Sequence, residues 1–264
     1  VTFGPMIGGL LAGINYLYLF IIDAIMSTIT AVLVFFLMPE TKPVFVSETH
    51  KEKETSLFET IKGYGVVLKD KVYIIFVLVS ALMVIVYTQM NSTLSVFLRD
   101  HRATSPQYFG YILSMNAAMV VIMQFWISRK LDAKRPLLVM ASGTVLYAIG
   151  FAMYGFTYSF VWFLVAMFII TIGEMMTVPT SQALVAGFAP EDMRGRYMAV
   201  YGWCWIIPSA IGPLMAGLVM DYIDPNWVWW GSGILAIIAA MGFYWMHNSA
   251  GHKIHITIVD EIAS

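Results

Sequence analysis

Cysteine is nearly absent and charge is scarce. One cysteine, Cys204, stands among 264 residues, which excludes an internal disulfide and a Cys-cluster metal site. Asp, Glu, Lys and Arg together make up 12% of the chain, against about 25% in an ordinary soluble domain. So few charges cannot cover a water-facing surface, which argues against a soluble enzyme. A hydrophobic content of 59% excludes a disordered chain. Neither sign of charge dominates: the net charge of -1 leaves no basic footprint for nucleic acid. Catalytic constellations are missing too, with no Ser/His/Asp arrangement, no phosphate-cradling glycine loop and no HExxH. His247, His252 and His255 lie in or near the C-terminal tail and read as solvated residues rather than metal ligands. No cofactor or metal is therefore expected. Without an ATP-binding motif, any energy must come from an ion gradient, and one proton crossing 100 mV yields roughly 2.3 kcal/mol.

What the chain does have is long apolar runs, at about 14–38, 72–98, 108–128, 136–156, 158–186, 197–220 and 226–247. A membrane-spanning helix needs about 20 mostly apolar residues. Barrel strands would be about ten residues of alternating polarity, a pattern these continuous runs do not follow. The fold class expected is an all-α membrane protein: a helical bundle of about seven complete transmembrane helices plus a truncated one. The truncated one is Val1–Gly13, which as a helix reaches only about 20 Å. It reads as a helix cut through its middle, so the chain is expected to be the C-terminal part of a longer protein.

Between the runs, residues 39–71 hold twelve charges, six of each sign, behind Pro39 and Pro43. Its later part, Ser56–Lys69, can form an amphipathic surface helix with Leu57, Ile61, Val67 and Leu68 towards one side. Loops rich in Lys and Arg mark the cytoplasmic face. Taking alternate connections, 13 of the 15 Lys and Arg fall on one side, leaving Arg99 and Arg102 on the other. The 39–71 loop and the C-terminus are thus expected in the cytoplasm, in a multi-pass protein of the cell membrane.

The chain also repeats itself. GPMIGGLLAG at Gly4–Gly13 recurs as GPLMAGLVMD at Gly212–Asp221, with Gly4/Gly212, Pro5/Pro213, Gly9/Gly217 and Leu10/Leu218 at one offset. The same offset carries the helix near 16–38 onto the last helix. Four helices lie between the matched pairs, which implies two six-helix halves, a build common among secondary transporters. Residues 1–38 would then be the last two helices of the first half, 39–71 a charged cytoplasmic linker, 72–247 the second half and 248–264 a cytoplasmic tail.

At these residues the chain resembles the major facilitator superfamily, and within it the drug:proton antiporter branch. GPMIGG (Gly4–Gly9) resembles the end of that branch's antiporter motif in the fifth helix. FFLMPET (Phe35–Thr41) is similar to the usual exit from the sixth. IGEMMTVPTSQALVAGFAPEDMRGRYMAVYG (Ile172–Gly202) is similar to the tenth helix, the following loop and the start of the eleventh in multidrug-type members. WISRKLDAKRP (Trp126–Pro136) keeps Asp132 and four basic residues of a cytoplasmic loop motif but lacks its leading glycine. The resemblance implies alternating access of two halves about a central site. It also implies gate roles for Arg129, Asp132, Arg135, Arg194 and Arg196, and a helix-packing role for Gly4, Pro5, Gly8, Gly9, Gly212, Pro213 and Gly217. The partners implied are a small-molecule substrate, the lipid bilayer and the N-terminal helices of the same protein.

Two acidic side chains fall well inside the apolar runs, Asp23 and Glu174. A charge at mid-bilayer costs on the order of 2.5–3.5 kcal/mol on insertion scales, so neither is expected to face lipid. Glu174 shares a helical stripe with Thr171, Thr177 and Ser181; Asp23 shares one with Ser27 and Thr30. A carboxyl that takes a proton on one side and releases it on the other is what coupling requires, and a cationic cargo can compete for the same group. Gln89, Asn91, Asn116 and Gln124 are amides that bind substrate or link helices. Tyr87, Tyr201 and Trp205 can line an aromatic cavity suited to flat cations. Trp227, Trp229 and Trp230 mark a membrane interface. The function expected is a proton-coupled antiporter exporting hydrophobic or cationic compounds. A metabolite symporter of the same fold is the alternative; a channel or a membrane-embedded enzyme is the alternative of another class.

Overall fold

The computed structural model describes residues 16–37, 57–131, 134–190 and 193–263. The described elements are all helical: α1 (Tyr16–Leu37), α2 (Leu57–Lys69), α3 (Lys71–Thr88), α4 (Thr93–His101), α5 (Pro106–Leu131), α6 (Pro136–Phe156), α7 (Phe160–Phe188), α8 (Arg194–Tyr222) and α9 (Asn226–Ala263). No strand occurs among the described residues. Six helical stretches are long and apolar enough to cross a membrane: Lys71–His101, Pro106–Leu131, Pro136–Phe156, Phe160–Phe188, Arg194–Tyr222 and Asn226–Ser249. A shorter apolar stretch, Phe20–Phe36, lies within α1. This is the all-α membrane bundle that the continuous apolar runs imply.

Two boundaries differ from the sequence expectation. The run at 72–98 is one span but two helices, parted at Gln89–Ser92. There the backbone tightens: the N–H groups of Gln89, Met90 and Asn91 bond three residues back, to Val86, Tyr87 and Thr88. Ser92 Oγ also bonds the Thr88 carbonyl at 2.9 Å. A cluster of short polar side chains offers the backbone partners other than its helical ones, which is why the break falls here. The last helix does not end with its apolar run; it continues to Ala263, since no proline interrupts residues 248–263.

The packing order is set by where backbones can approach. α6 packs most extensively on α9 and on α7, α8 on α3, and α5 on α7. On the α6–α7 crossing, a Cβ added to Gly173 would stand 2.6 Å from the Gly143 carbonyl oxygen, and one on Gly150 would stand 2.9 Å from that of Ala166. Only a missing side chain admits such contact, and in lipid this close packing replaces the hydrophobic drive between helices. At one end of the bundle, Tyr73, Phe76, Phe188, Tyr197 and Tyr201 pack ring against ring. At the other, Phe97, Phe151, Tyr154 and Trp229 do the same. The outside carries exposed apolar residues such as Ile122, Phe125, Trp126, Ile206 and Leu214, the face a lipid-bathed bundle presents.

α2 forms where the charged loop's amphipathic pattern places a helix. Val67 is buried while Val66 and Leu68 are exposed, so its inward side is narrower than the four-residue stripe suggests. Asp70 then caps α3, accepting from the Tyr73 N–H at 3.1 Å.

Candidate functional site

Glu174 sits midway along α7, within its membrane-crossing stretch. It makes no ion pair among the described residues. Its two carboxyl oxygens instead divide between two neighbouring helices. Oε1 accepts from the Tyr87 hydroxyl of α3 at 2.9 Å. Oε2 accepts from Asn116 Nδ2 of α5 at 2.6 Å. The same Asn116 nitrogen donates to Thr171 Oγ1, one turn before Glu174, at 3.0 Å. A second layer lies behind. Thr177 Oγ1, one turn after Glu174, donates to the Gly173 carbonyl at 2.9 Å and stands 3.0 Å from the Tyr147 hydroxyl of α6.

Four helices thus converge on one carboxyl, and the local sequence explains how. Thr171, Glu174 and Thr177 recur every three residues, which puts them along one side of α7. Gly173 lets α6 come close enough for Tyr147 to reach that stripe. Aromatic rings close the region: Tyr87 packs against Tyr147 at 5.9 Å and edge-on against Trp205 of α8 at 5.8 Å. Hydrogen bonds to a charged group are each worth about 1.5–3 kcal/mol. Two neutral donors therefore offset much of what insertion of a carboxylate costs, and leave the group free of any fixed cation.

Of the residues singled out by sequence, Glu174, Tyr87, Asn116 and Trp205 come together here. Gln124 lies farther along the α5–α7 seam, donating to Ser128 Oγ at 2.8 Å and the Met175 carbonyl at 3.2 Å. Gln89 is buried at the α3–α4 break, where it donates to the Ile85 carbonyl at 3.0 Å and accepts from Thr93. Asn91 in the same break is exposed. Tyr201 is buried and stacks on Phe76. Asp23 is exposed on α1 and does not join the Glu174 network. Gly212 is a close-approach position, its added Cβ falling 2.8 Å from Gln89 Nε2 and 3.0 Å from Thr88 Oγ1. Pro213 is half-buried beside it. An added Cβ at Gly217 would meet nothing within 4 Å among the described residues. Gly4, Pro5, Gly8, Gly9 and Asp132 lie outside the described residues.

The basic loop residues given gate roles by the resemblance have separate surroundings. Arg135 Nη1 lies 3.3 Å from His247 Nε2. The Arg196 guanidinium fills the space over Gly63 of α2. Arg129 and Arg194 are exposed. Beside them Tyr197 donates to Asp70 Oδ2 at 3.1 Å while Tyr73 donates to the Tyr197 carbonyl at 2.6 Å, fixing the α2–α3 junction to the start of α8.

Two features escaped the sequence. Tyr147 sits in an apolar run with nothing to distinguish it from packing. Arg102, noted only for its isolation, gathers three loops at the opposite end from the basic residues. Its Nε donates to the Thr157 carbonyl at 3.0 Å and its Nη2 to Asn226 Oδ1 at 2.7 Å, and its guanidinium lies over the Phe97 and Tyr158 rings at 4.5 and 4.2 Å. Burial against these rings depresses its pKa below that of a free guanidinium.

Comparison with known proteins adds the family. The Major Facilitator Superfamily model matches residues 1–210 and 177–257. A Na(+), Li(+), K(+)/H(+) antiporter from Planococcus maritimus is 26% identical over 267 residues, which covers 94% of this chain and 63% of the relative. The uncharacterized MFS-type transporter YhjO of Bacillus subtilis is 25% identical over 257 residues, covering 96% and 61%. The chain thus spans somewhat under two thirds of these relatives' length. Among solved structures, a POT family transporter in complex with 5-aminolevulinic acid superposes with a TM-score of 0.59 at 17% identity, over 91% of this chain and 55% of that one.

Proposed function

This chain belongs to the major facilitator superfamily, and from that premise we propose that it is the greater part of a proton-coupled antiporter whose cargo is cationic. Family and relatives are transporters rather than enzymes. In this reading residues 72–247 are the second six-helix half and 1–38 the last two helices of the first. The 39–71 loop and the 248–264 tail lie in the cytoplasm, where the Lys and Arg bias puts them.

One observation carries the reading: a carboxyl inside a membrane span, held by neutral donors from two other helices and paired with no cation among the described residues. An acid in that setting exchanges a proton for another positive charge without a separate device, since the two compete for the same oxygens. The ring of Tyr87, Tyr147 and Trp205 around it suits a flat organic cation, which favours the drug-exporting branch. A second reading, a monovalent metal ion as cargo, is favoured by the name of the Planococcus relative.

The test uses vesicles reconstituted with the product of the full reading frame that encodes this chain, with an imposed pH gradient. Ethidium and Na+ are added separately, and proton movement is followed with a pH-sensitive dye. The wild type should dissipate the gradient on addition of its cargo, and Glu174→Gln should not. Gradient-driven exchange that persists at wild-type rate in Glu174→Gln rejects the role given to this carboxyl. Response to Na+ but not ethidium selects the second reading.

A further inference from the structure

The hydrogen-bond directions around Glu174 can be worked out one after another, starting from a backbone group. The Thr171 hydroxyl donates to the Met167 carbonyl at 2.7 Å. A hydroxyl has one hydrogen, so towards Asn116 Thr171 Oγ1 can only accept. The atom 3.0 Å from it must then be the amide nitrogen of Asn116 and not its oxygen. That nitrogen points its other hydrogen at Glu174 Oε2, 2.6 Å away. An amide nitrogen accepts nothing. A proton placed on Oε2 towards Asn116 would therefore meet a hydrogen already there.

The same chain of reasoning removes Tyr147. Thr177 spends its hydrogen on the Gly173 carbonyl, so Tyr147 is the donor in the contact between them. Tyr87 alone differs. Its hydroxyl faces Oε1 at 2.9 Å, and a phenol both donates and accepts.

We propose that Tyr87 is the positioning residue that fixes where Glu174 takes its proton: on Oε1, facing the Tyr87 hydroxyl, while Asn116 holds Oε2 as an acceptor in both states. Protonation then forms an O–H bond from an Oε1 lone pair as an O–H bond of a hydronium ion from the aqueous side breaks and leaves water, and the new O–H donates to Tyr87 Oη. The Tyr87 O–H bond stays intact and rotates away, so its hydrogen is presented to the surroundings only when Glu174 is loaded. Release reverses each step. The bond between α5 and α7 persists throughout, and the one between α3 and α7 changes direction. The inference rests on the reading of Glu174 as the proton carrier.

Other titratable groups near the pair are few. Tyr147 from α6 is within electrostatic reach of Glu174, Tyr87 and Tyr201 of α8. α7 has no further titratable side chain, and those of α5 (Tyr108, Tyr111, Arg129 and Lys130) stand five or more residues from Asn116. α3 carries its others, Lys71 and Tyr73, at its far end.

Acid-minus-alkaline infrared difference spectroscopy on the transporter in lipid tests the assignment. The wild type should show a carboxylic acid band, absent in Glu174→Gln, together with a shift in a tyrosine C–O–H band. Tyr87→Phe, which removes one oxygen, should abolish that tyrosine signal and move the acid band to the position of a carboxyl with a free O–H. Asn116→Leu and Tyr147→Phe should keep the tyrosine signal. A tyrosine signal that survives Tyr87→Phe, or that is lost in Tyr147→Phe, overturns the proposal, as does a wild type whose Glu174 band appears with no tyrosine change. An acid band unaltered by Glu174→Gln overturns the proton-carrier reading with it. A normal set of spectra with gradient-driven exchange intact in Glu174→Gln leaves the assignment standing and removes the functional reading alone.

Discussion

The α6–α7 crossing fixes the distance between the Glu174 stripe and its neighbours, and a single methyl group is enough to test it. In Gly173→Ala the new Cβ would fall 2.6 Å from the Gly143 carbonyl oxygen and 3.0 Å from the Tyr147 ring. Ordinary contact begins near 3.4 Å, so the first clash is roughly 0.8 Å deep, against backbone that has no rotamer to turn. The helices must part, and overpacking of this kind costs about 1–3 kcal/mol. At about 2–4 °C per kcal/mol for a chain of this size, the expected fall in Tm is roughly 2–12 °C. Cys204 supplies the assay. It is the only cysteine of the chain, 1% exposed, with its thiol donating to the Val77 carbonyl at 3.1 Å. A fluorogenic maleimide should therefore react only as the bundle opens. Gly231→Ala is the control: an added Cβ there meets nothing within 4 Å, and Ala gains up to about 1 kcal/mol over Gly in a helix. The two Gly→Ala changes should move Tm in opposite directions. If Gly173→Ala melts as late as Gly231→Ala, the close backbone approach that positions the site is not there.

Arg102→Ala should lower Tm by an amount equivalent to about 2 kcal/mol, because it removes two charge-assisted hydrogen bonds and the stacking of the guanidinium on two rings. Arg102→Lys should restore little, because a point ammonium cannot bond Thr157 and Asn226 while lying on both rings; the maleimide melt measures both. Tyr197→Phe and Tyr73→Phe each break one link of the α2–α3–α8 junction and should cost about 1 kcal/mol apiece. A double-mutant cycle should give less than the sum, since both bonds involve Tyr197. Asn116→Leu removes the donor shared by Glu174 Oε2 and Thr171 Oγ1, at a cost of about 1.5–3 kcal/mol to the charged carboxyl, so gradient-driven exchange should slow at least several-fold. An unchanged exchange rate refutes the arrangement.

The membrane bundle was legible because lipid imposes a simple rule. A span must satisfy its own backbone and carry about 20 apolar residues, so length and hydropathy locate helices directly. The polar stripe around Glu174 was legible for the same reason: a carboxyl in such a run is costly enough to stand out, and threonines lie three residues on either side of it. The break at Gln89–Ser92 was not visible, since a few polar residues in an apolar run change mean hydropathy little while competing strongly for backbone hydrogens.

The amino-acid order by itself thus determined the crossing segments, the helix before Asp70 and the carboxyl placed midway along α7, because each is a local property of composition and period. Only the tertiary structure decided which oxygen of that acid faces which helix. Tyr87, Asn116 and Tyr147 are separated from Glu174 by 87, 58 and 27 residues; Tyr87 and Asn116 stood out as polar groups in apolar runs and Tyr147 did not, and nothing local tied any of them to Glu174. Helices brought close across glycine seams turn those three scattered side chains into one network, and hydrogen-bond direction within it depends on atoms a few ångströms apart.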